Sequence, residues 1–319
     1  MIGVELEAFV YENEEPVDVA SWLKERGGRL KTKGASIITD AGRHSIELVS
    51  EPSLSVCGIG SSFAGALEQL PPTWDIRWVG EDVSPCQKLW AESKRYEKTL
   101  EALQVECPSG WQGVKNMNKW ASFQMHLGGH PINDPKALLS MNFLNNLSPA
   151  LAVIFANPRP SRRLKEAWFG WARPDRLPRY DQWFDRAYNL VSYVDKIPQL
   201  IENVGEDEWK ILVRQTMNFG HPFKGLDVEK CLYWFCRPRP CLGTIEFRPI
   251  DSLPPVAAMI VADLILGLVD QYLRDHSSFK KVSERDWERL IEEQDPELAL
   301  HYLPQLRPTF EEWPQLLAA

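Results

Sequence analysis

The sequence predicts an α+β fold built on a largely antiparallel sheet, and three observations carry that expectation. Segments near 2–10, 36–40, 44–50, 120–128 and 242–249 alternate apolar and polar residues with the period of a strand covered on one face. Helical periodicity marks 18–26, 60–70, 86–104, 135–157, 180–203, 206–217 and 254–275. Strands and helices do not alternate strictly, as a parallel doubly wound sheet would require.

The first strand, "GVELEAF" at 3–9, sends Val4, Leu6 and Ala8 to one face and Glu5 and Glu7 to the other. "RHSIELVSEP" does the same, with Ile46 and Leu48 against Ser45, Glu47 and Val49. Just after it, "CGIGSSFAG" offers Gly58 and Gly60, but Phe63 stands where a dinucleotide fingerprint needs its third glycine. No phosphate-binding Gly-Lys-Ser/Thr loop occurs either. "SFQMHLGGH" divides into Phe123, Met125 and Leu127 against Gln124, His126 and Gly128, and His130, just before Pro131, reads as a loop residue. "GTIEFRP" opposes Ile245 and Phe247 to Thr244, Glu246 and Arg248. The apolar run "PPVAAMIVADLILGLVDQYL" at 254–273 is interrupted by Asp263 and Asp270, which predicts a buried core helix rather than a membrane span.

With 319 residues, 44% of them apolar, and 13 Trp and 13 Phe, the chain can build a substantial core. No repeat or linker divides it, so a single domain over 1–319 is expected. A formal net charge of -8 argues against a dedicated nucleic-acid binder, whose phosphate partners call for a basic surface. The six cysteines contain no C-x-x-C, and the spacing of Cys231, Cys236 and Cys241 does not suit zinc. Reduced thiols and an acidic start without a visible leader predict a cytoplasmic protein that engages neither membrane nor nucleic acid.

Four strands thus share one design, an apolar face and a face bearing Glu5, Glu7, Glu47, His126 and Glu246, with Arg248 as the only cation among them. Four solvated outer faces would look the same. A mixed wet face, however, usually offsets its acids with cations. If these acids share one sheet, a divalent ion would neutralise them, and carboxylates with one imidazole suit Mg²⁺ or Mn²⁺ in phosphate chemistry.

The order of these pieces resembles the glutamate–cysteine ligase type 2 family of carboxylate–amine ligases, which have the glutamine synthetase fold. The likeness runs through "GVELEAF", "SIELVSEP", "QMHLGG", "LSPALAVIFANPRPSRRLKEAW" and "LYWFCRPRPCLGTIEFRPIDS". It implies a glutamine synthetase-like sheet whose polar face binds metal, with helices on the other face. It implies ATP and Mg²⁺ or Mn²⁺ as cofactors, and amide formation through an acyl phosphate at the γ-carboxylate of glutamate. Small-molecule partners follow, an amino-acid carboxylate and an amine. Carried to this sequence, Glu5, Glu7, Asp40, Glu47, His126 and Glu246 become metal ligands. Asp40, in "ITDAGRHSIE", is equally readable as a turn former. Arg248 becomes the residue at the transferred phosphoryl group, acting with Glu246, and Gln124 joins Arg248 at the nucleotide. Gln124 stands where the family has the first histidine of a His-x-His strand. Arg162 and Arg163 are candidates for the substrate carboxylate, although the segment lacks the family's Ser-Pro-Phe turn and a solvated charge cluster reads equally well. Two alternatives stay open: a guanidino-kinase-like phosphotransferase of related fold, and a non-catalytic metal- or nucleotide-binding regulator.

Overall fold

A computed structural model describes residues 1–40, 42–82, 121–128, 135–157, 161, 235–239 and 242–318. The sequence-predicted helices at 86–104, 180–203 and 206–217, together with His130, Arg162 and Arg163, lie outside the described residues.

Strand β1 (Ile2–Glu12) is the axis of the fold. It is followed by β2 (Glu15–Pro16), α1 (Val19–Lys24), β3 (Leu30–Thr32), β4 (Ala35–Ile38), β5 (Ser45–Ser50), α2 (Val56–Leu67) and β6 (Asp75–Arg77). Further along come β7 (Ser122–Leu127), α3 (Pro135–Ile154), β8 (Cys236–Arg239), β9 (Thr244–Asp251) and α4 (Pro255–Arg274). The chain closes with α5 (Glu284–Glu292), α6 (Pro296–Tyr302) and α7 (Arg307–Ala318). The strands form one sheet in the order β3-β4-β5-β1-β7-β9-β8, with β2 and β6 both pairing β1 beyond the path. Every pairing among them is antiparallel.

The alternation read from the sequence decides which face is covered. Val4, Leu6, Ala8 and Val10 of β1 are fully buried, as are Ile46 and Leu48 of β5, Phe123 and Met125 of β7, and Phe247 of β9. Against this face pack Ile59 and Phe63 of α2, Leu144, Leu147 and Leu151 of α3, and Val261 and Ile265 of α4 in one continuous core. Helix α4 is the one described helix long and apolar enough to cross a membrane by length and composition, and its Ala257, Ala258, Val261, Ala262 and Ile265 are fully buried in that core. The glycine-rich "CGIGSSFAG" lies in α2, capped by the Ser55 side chain. A Cβ at Gly60 would come within 3.2 Å of Met259, so that glycine lets α2 and α4 approach closely.

Candidate functional site

The other face of the sheet carries the charged residues, and strand register sets their neighbours. Glu7 lies directly across from Glu47, Glu5 from Gln124, Gly3 from His126, and His126 from Glu246. Beyond Glu246 the edge strand adds Arg237, its cross-strand partner. One register therefore brings Glu5, Glu7, Glu47, His126 and Glu246 to a single face, with Asp40 close enough to act on Glu47.

The face has an acid pole and a basic pole. At the acid pole Glu5 and Glu47 share a hydrogen bond. Burial, reinforced by the charges of Glu5, Asp40 and Glu7, raises the Glu47 carboxyl well above its ordinary value. Glu5 shifts the other way: burial opposes the shift, but the hydrogen bond and charge of His126 outweigh it and lower its carboxyl. The pair therefore favours one shared proton, held on Glu47. His126 joins the poles, with Nε2 3.2 Å from Glu5 Oε1 and Nδ1 3.0 Å from Thr244 Oγ1.

Glu7 is held differently. Its Oε2 accepts from the Ser122 backbone N–H at 2.7 Å and the Ser122 hydroxyl at 2.9 Å, and its Oε1 accepts from the Gln124 amide at 2.6 Å. The Ser252 hydroxyl donates to the Glu7 carbonyl, tying β1 to the end of β9.

At the basic pole Glu246 is fully buried yet holds its charge far below the ordinary carboxyl range. Burial alone would raise it; the guanidinium of Arg237, then that of Arg248, overcomes this. Arg237 Nε donates to Oε2 at 2.9 Å and Nη2 to Oε1 at 2.8 Å, a two-pronged fork, while Arg239 Nη1 donates to Oε2 at 2.6 Å. Arg248 Nη1 stands 3.7 Å from Oε1. The expectation that Arg248 is the only cation on this face is therefore corrected, because the edge strand β8 supplies two more. The signal lay in "CRPRP", whose arginines are two residues apart and so share a face of any strand, followed by a turn into "GTIEFR".

The donor chemistry fits a divalent cation only at the acid pole, where Glu5, Glu47 and Asp40 crowd negative charge. Among the described residues no three His, Cys, Asp or Glu side chains form a ready metal-ligating group. Glu7 is engaged by Ser122 and Gln124, and Glu246 by arginines, while Glu5 bonds to Glu47 and His126. Gln124 lies beside Glu7 rather than apart from it.

A second polar cluster lies further along β1, unforeseen in the sequence. His44 and Asp82, both buried, pair at 2.7 Å through Nε2 and Oδ2, and the imidazole stacks on Phe9 with ring centroids 5.2 Å apart. Near the last residues of β9, Asn157 donates from its backbone to Asp251 at 3.2 Å and from its side chain to the carbonyls of Trp78 and Ser252 at 2.7 and 2.8 Å.

Taken together, the described residues define an antiparallel α+β sheet with an apolar face packed on helices and an opposite face that carries a bipolar cluster of buried charge. No protein-family model matches the chain, and no curated protein sequence matches it. Among solved structures it is similar to the crystal structure of a bifunctional glutathione synthetase from Pasteurella multocida, at a TM-score of 0.50 and 13% sequence identity. The similarity covers 99% of this chain and 47% of that one, so the chain spans about half the length of its structural neighbour. At that identity the likeness concerns the fold.

Proposed function

We propose that the chain is an ATP-dependent carboxylate–amine ligase that activates the γ-carboxylate of glutamate as an acyl phosphate and transfers the acyl group to an amine. The observation that carries this reading is the adjacency of the two poles, carboxylates at Glu5, Glu47 and Asp40 and guanidiniums at Arg237, Arg239 and Arg248, bridged by His126. A metal–polyphosphate has the matching pattern, a dication bound to an anion. Support of a coarser kind comes from the fold likeness to a bifunctional glutathione synthetase.

In this reading Glu5, Glu47 and Asp40 would hold Mg²⁺ or Mn²⁺, which when bound screens the repulsion between phosphate and carboxylate. Arg248, with the neighbouring Arg237 and Arg239, offers planar donors to phosphate oxygens, where charge accumulates during transfer. Glu7 fixes β1 against β7 through Ser122 and Gln124, so that Glu5, two residues before it, keeps its place beside His126. The substrate carboxylate oxygen attacks the γ-phosphorus and ADP leaves. The amine then attacks the acyl carbon, phosphate departs, and one proton is lost.

The test is interception of the acyl phosphate by hydroxylamine, a small nucleophile that does not depend on the natural amine pocket. Incubation with ATP, Mg²⁺, glutamate and hydroxylamine should give a hydroxamate, with ADP and phosphate in equal amounts. The assay is extended over a panel of amino-acid and simple carboxylates. ADP with a guanidino compound and no hydroxamate with any acid would replace the ligase by a phosphotransferase. ADP release under no condition would leave a binding protein.

A further inference from the structure

We infer that Glu246 is not a cation ligand but a positioning residue, which aligns Arg237, Arg239 and Arg248 into an anion-binding cluster. The resemblance to the ligases implied a metal role for this residue, and its surroundings do not suit one. Both carboxylate oxygens are already taken, Oε1 by Arg237 and Oε2 by Arg237 and Arg239, at 2.6 to 2.9 Å. The side chain is 1% exposed, so an ion could reach those oxygens only by displacing a guanidinium. It would then stand among three like charges in a setting of low dielectric. The geometry is instead that of a buried carboxylate gripping a guanidinium fork, an arrangement that fixes the plane of Arg237 and draws Arg239 to the same point.

The backbone reinforces the same purpose. Arg237 and Glu246 are cross-strand partners, and Asn145 of α3 clamps the residue before Arg237, accepting from the Cys236 N–H and donating to its carbonyl, both at 2.8 Å. The Arg248 N–H donates to the Phe235 carbonyl at 2.8 Å. Three arginines from two hydrogen-bonded strands are thus oriented around one carboxylate, in the pattern a polyphosphate recognises. Identifying the anion as a polyphosphate rests on the ligase reading; the role of Glu246 does not.

The sign of one measurement separates the two roles. Tripolyphosphate binding is followed by calorimetry in EDTA, where no divalent ion contributes. If Glu246 positions the arginines, Glu246→Gln should weaken binding by about tenfold, because a neutral amide no longer holds the fork. If Glu246 served only as an ion's ligand, removing its charge from beside an anion would leave affinity equal or tighter, and that result overturns the inference. Failure of the parent protein to bind tripolyphosphate overturns it too. A second arm follows Mn²⁺ by electron paramagnetic resonance: Glu246→Gln should match the parent, and loss of a bound Mn²⁺ in the variant overturns the inference. Should Glu246→Gln not fold, Arg239→Gln decides, with binding of tripolyphosphate expected to fall about fivefold or more, since one donor group is lost. Unchanged binding overturns it. The ligase reading fails separately, through absence of hydroxamate from the parent, and that failure leaves these binding results standing.

Discussion

At the scale of single residues, Glu47 and Glu246 show how two buried carboxylates on one sheet are driven in opposite directions. Glu47 faces Glu5, Asp40 and Glu7, and burial with those charges favours its protonated form. Glu246 faces Arg237 and Arg248, whose charges favour the anion. The linkage signs follow. A carboxyl raised on folding contributes stability below its ordinary value of 4.5 and loses it as pH rises through the folded value. The metal-free protein should therefore lose stability through Glu47 as pH rises above about 4.5, while Glu246 contributes stability that is lost only on acidification. Glu47→Gln should flatten the first dependence, leaving the apo protein at pH 7 at least as stable as its parent, because an amide fills the place of the protonated acid. Thermal melts in EDTA from pH 4 to 8 check this, and a variant whose melting temperature falls with pH in parallel to the parent would assign the effect elsewhere. If Glu47 holds the cation as proposed, the same substitution should weaken Mn²⁺ binding by about tenfold or more, since it removes one oxygen ligand able to carry charge.

At the scale of elements, α3 connects the sheet edge to the C-terminal helices through two consecutive asparagines. Asn145 makes a pair of hydrogen bonds with the backbone of Cys236 on β8, and Asn146 a pair with the backbone of Val282 just before α5. Each amide acts as a short strand partner, and Asn145 thereby satisfies polar groups on an edge strand that has β9 on its other side. Asn145→Ala leaves a buried N–H and a buried carbonyl unpaired, which costs about 2–6 kcal/mol in all at the usual penalty per group. Urea denaturation should show the loss as a lower midpoint at unchanged slope; a midpoint within error of the parent would mean that β8 finds other partners. Glycine at 80 is needed nearby for space: a Cβ there would stand 2.6 Å from Asp251 Cγ, so Gly80→Ala should force Asp251 off the Asn157 backbone and destabilise the chain by about 1–3 kcal/mol. These couplings explain which elements could be read from sequence. Strands β1, β5, β7 and β9 and helices α2, α3 and α4 bury a whole apolar face and announce it by period. The three-residue strands β3 and β6 and the Pro-containing β8 are too short to show a period and form because a longer strand templates them. Helices α5 and α6 carried a readable sign that periodicity over the apolar core did not weigh, the N-caps Ser283 and Asp295, the latter followed by Pro296 at the first helical position.

At the scale of the whole molecule, the sheet converts a one-dimensional alternation into a two-dimensional arrangement of charge. Alternation alone placed Glu5, Glu7, Glu47, His126 and Glu246 on a polar face; strand order then made neighbours of Glu5 and His126, 121 positions apart. What no single strand could reveal is pairing. The fork of Arg237 on Glu246, the Ser122 bonds to Glu7 and the His44–Asp82 pair arise from register and from loops, and the sequence leaves these unspecified. Pairing also gives the face its two poles, joined by His126 between Glu5 and Thr244 and across from Glu246. A ligand that is cationic at one end and anionic at the other should then bind better than its parts. The argument is reciprocal: a cation at the acid pole relieves the repulsion around Glu47 and raises affinity for the anion, and the anion raises affinity for the cation by the same factor. Mg²⁺ and ATP together should therefore raise the melting temperature by more than the sum of their separate effects at matched saturation. In Glu5→Gln the excess should shrink while the effect of metal-free ATP persists, because the basic pole is intact. In Arg239→Gln the excess should shrink while the effect of Mg²⁺ alone persists. Additive shifts in the parent protein would mean that the poles are filled independently, and the bridging ligand on which the proposed chemistry depends would have to be given up.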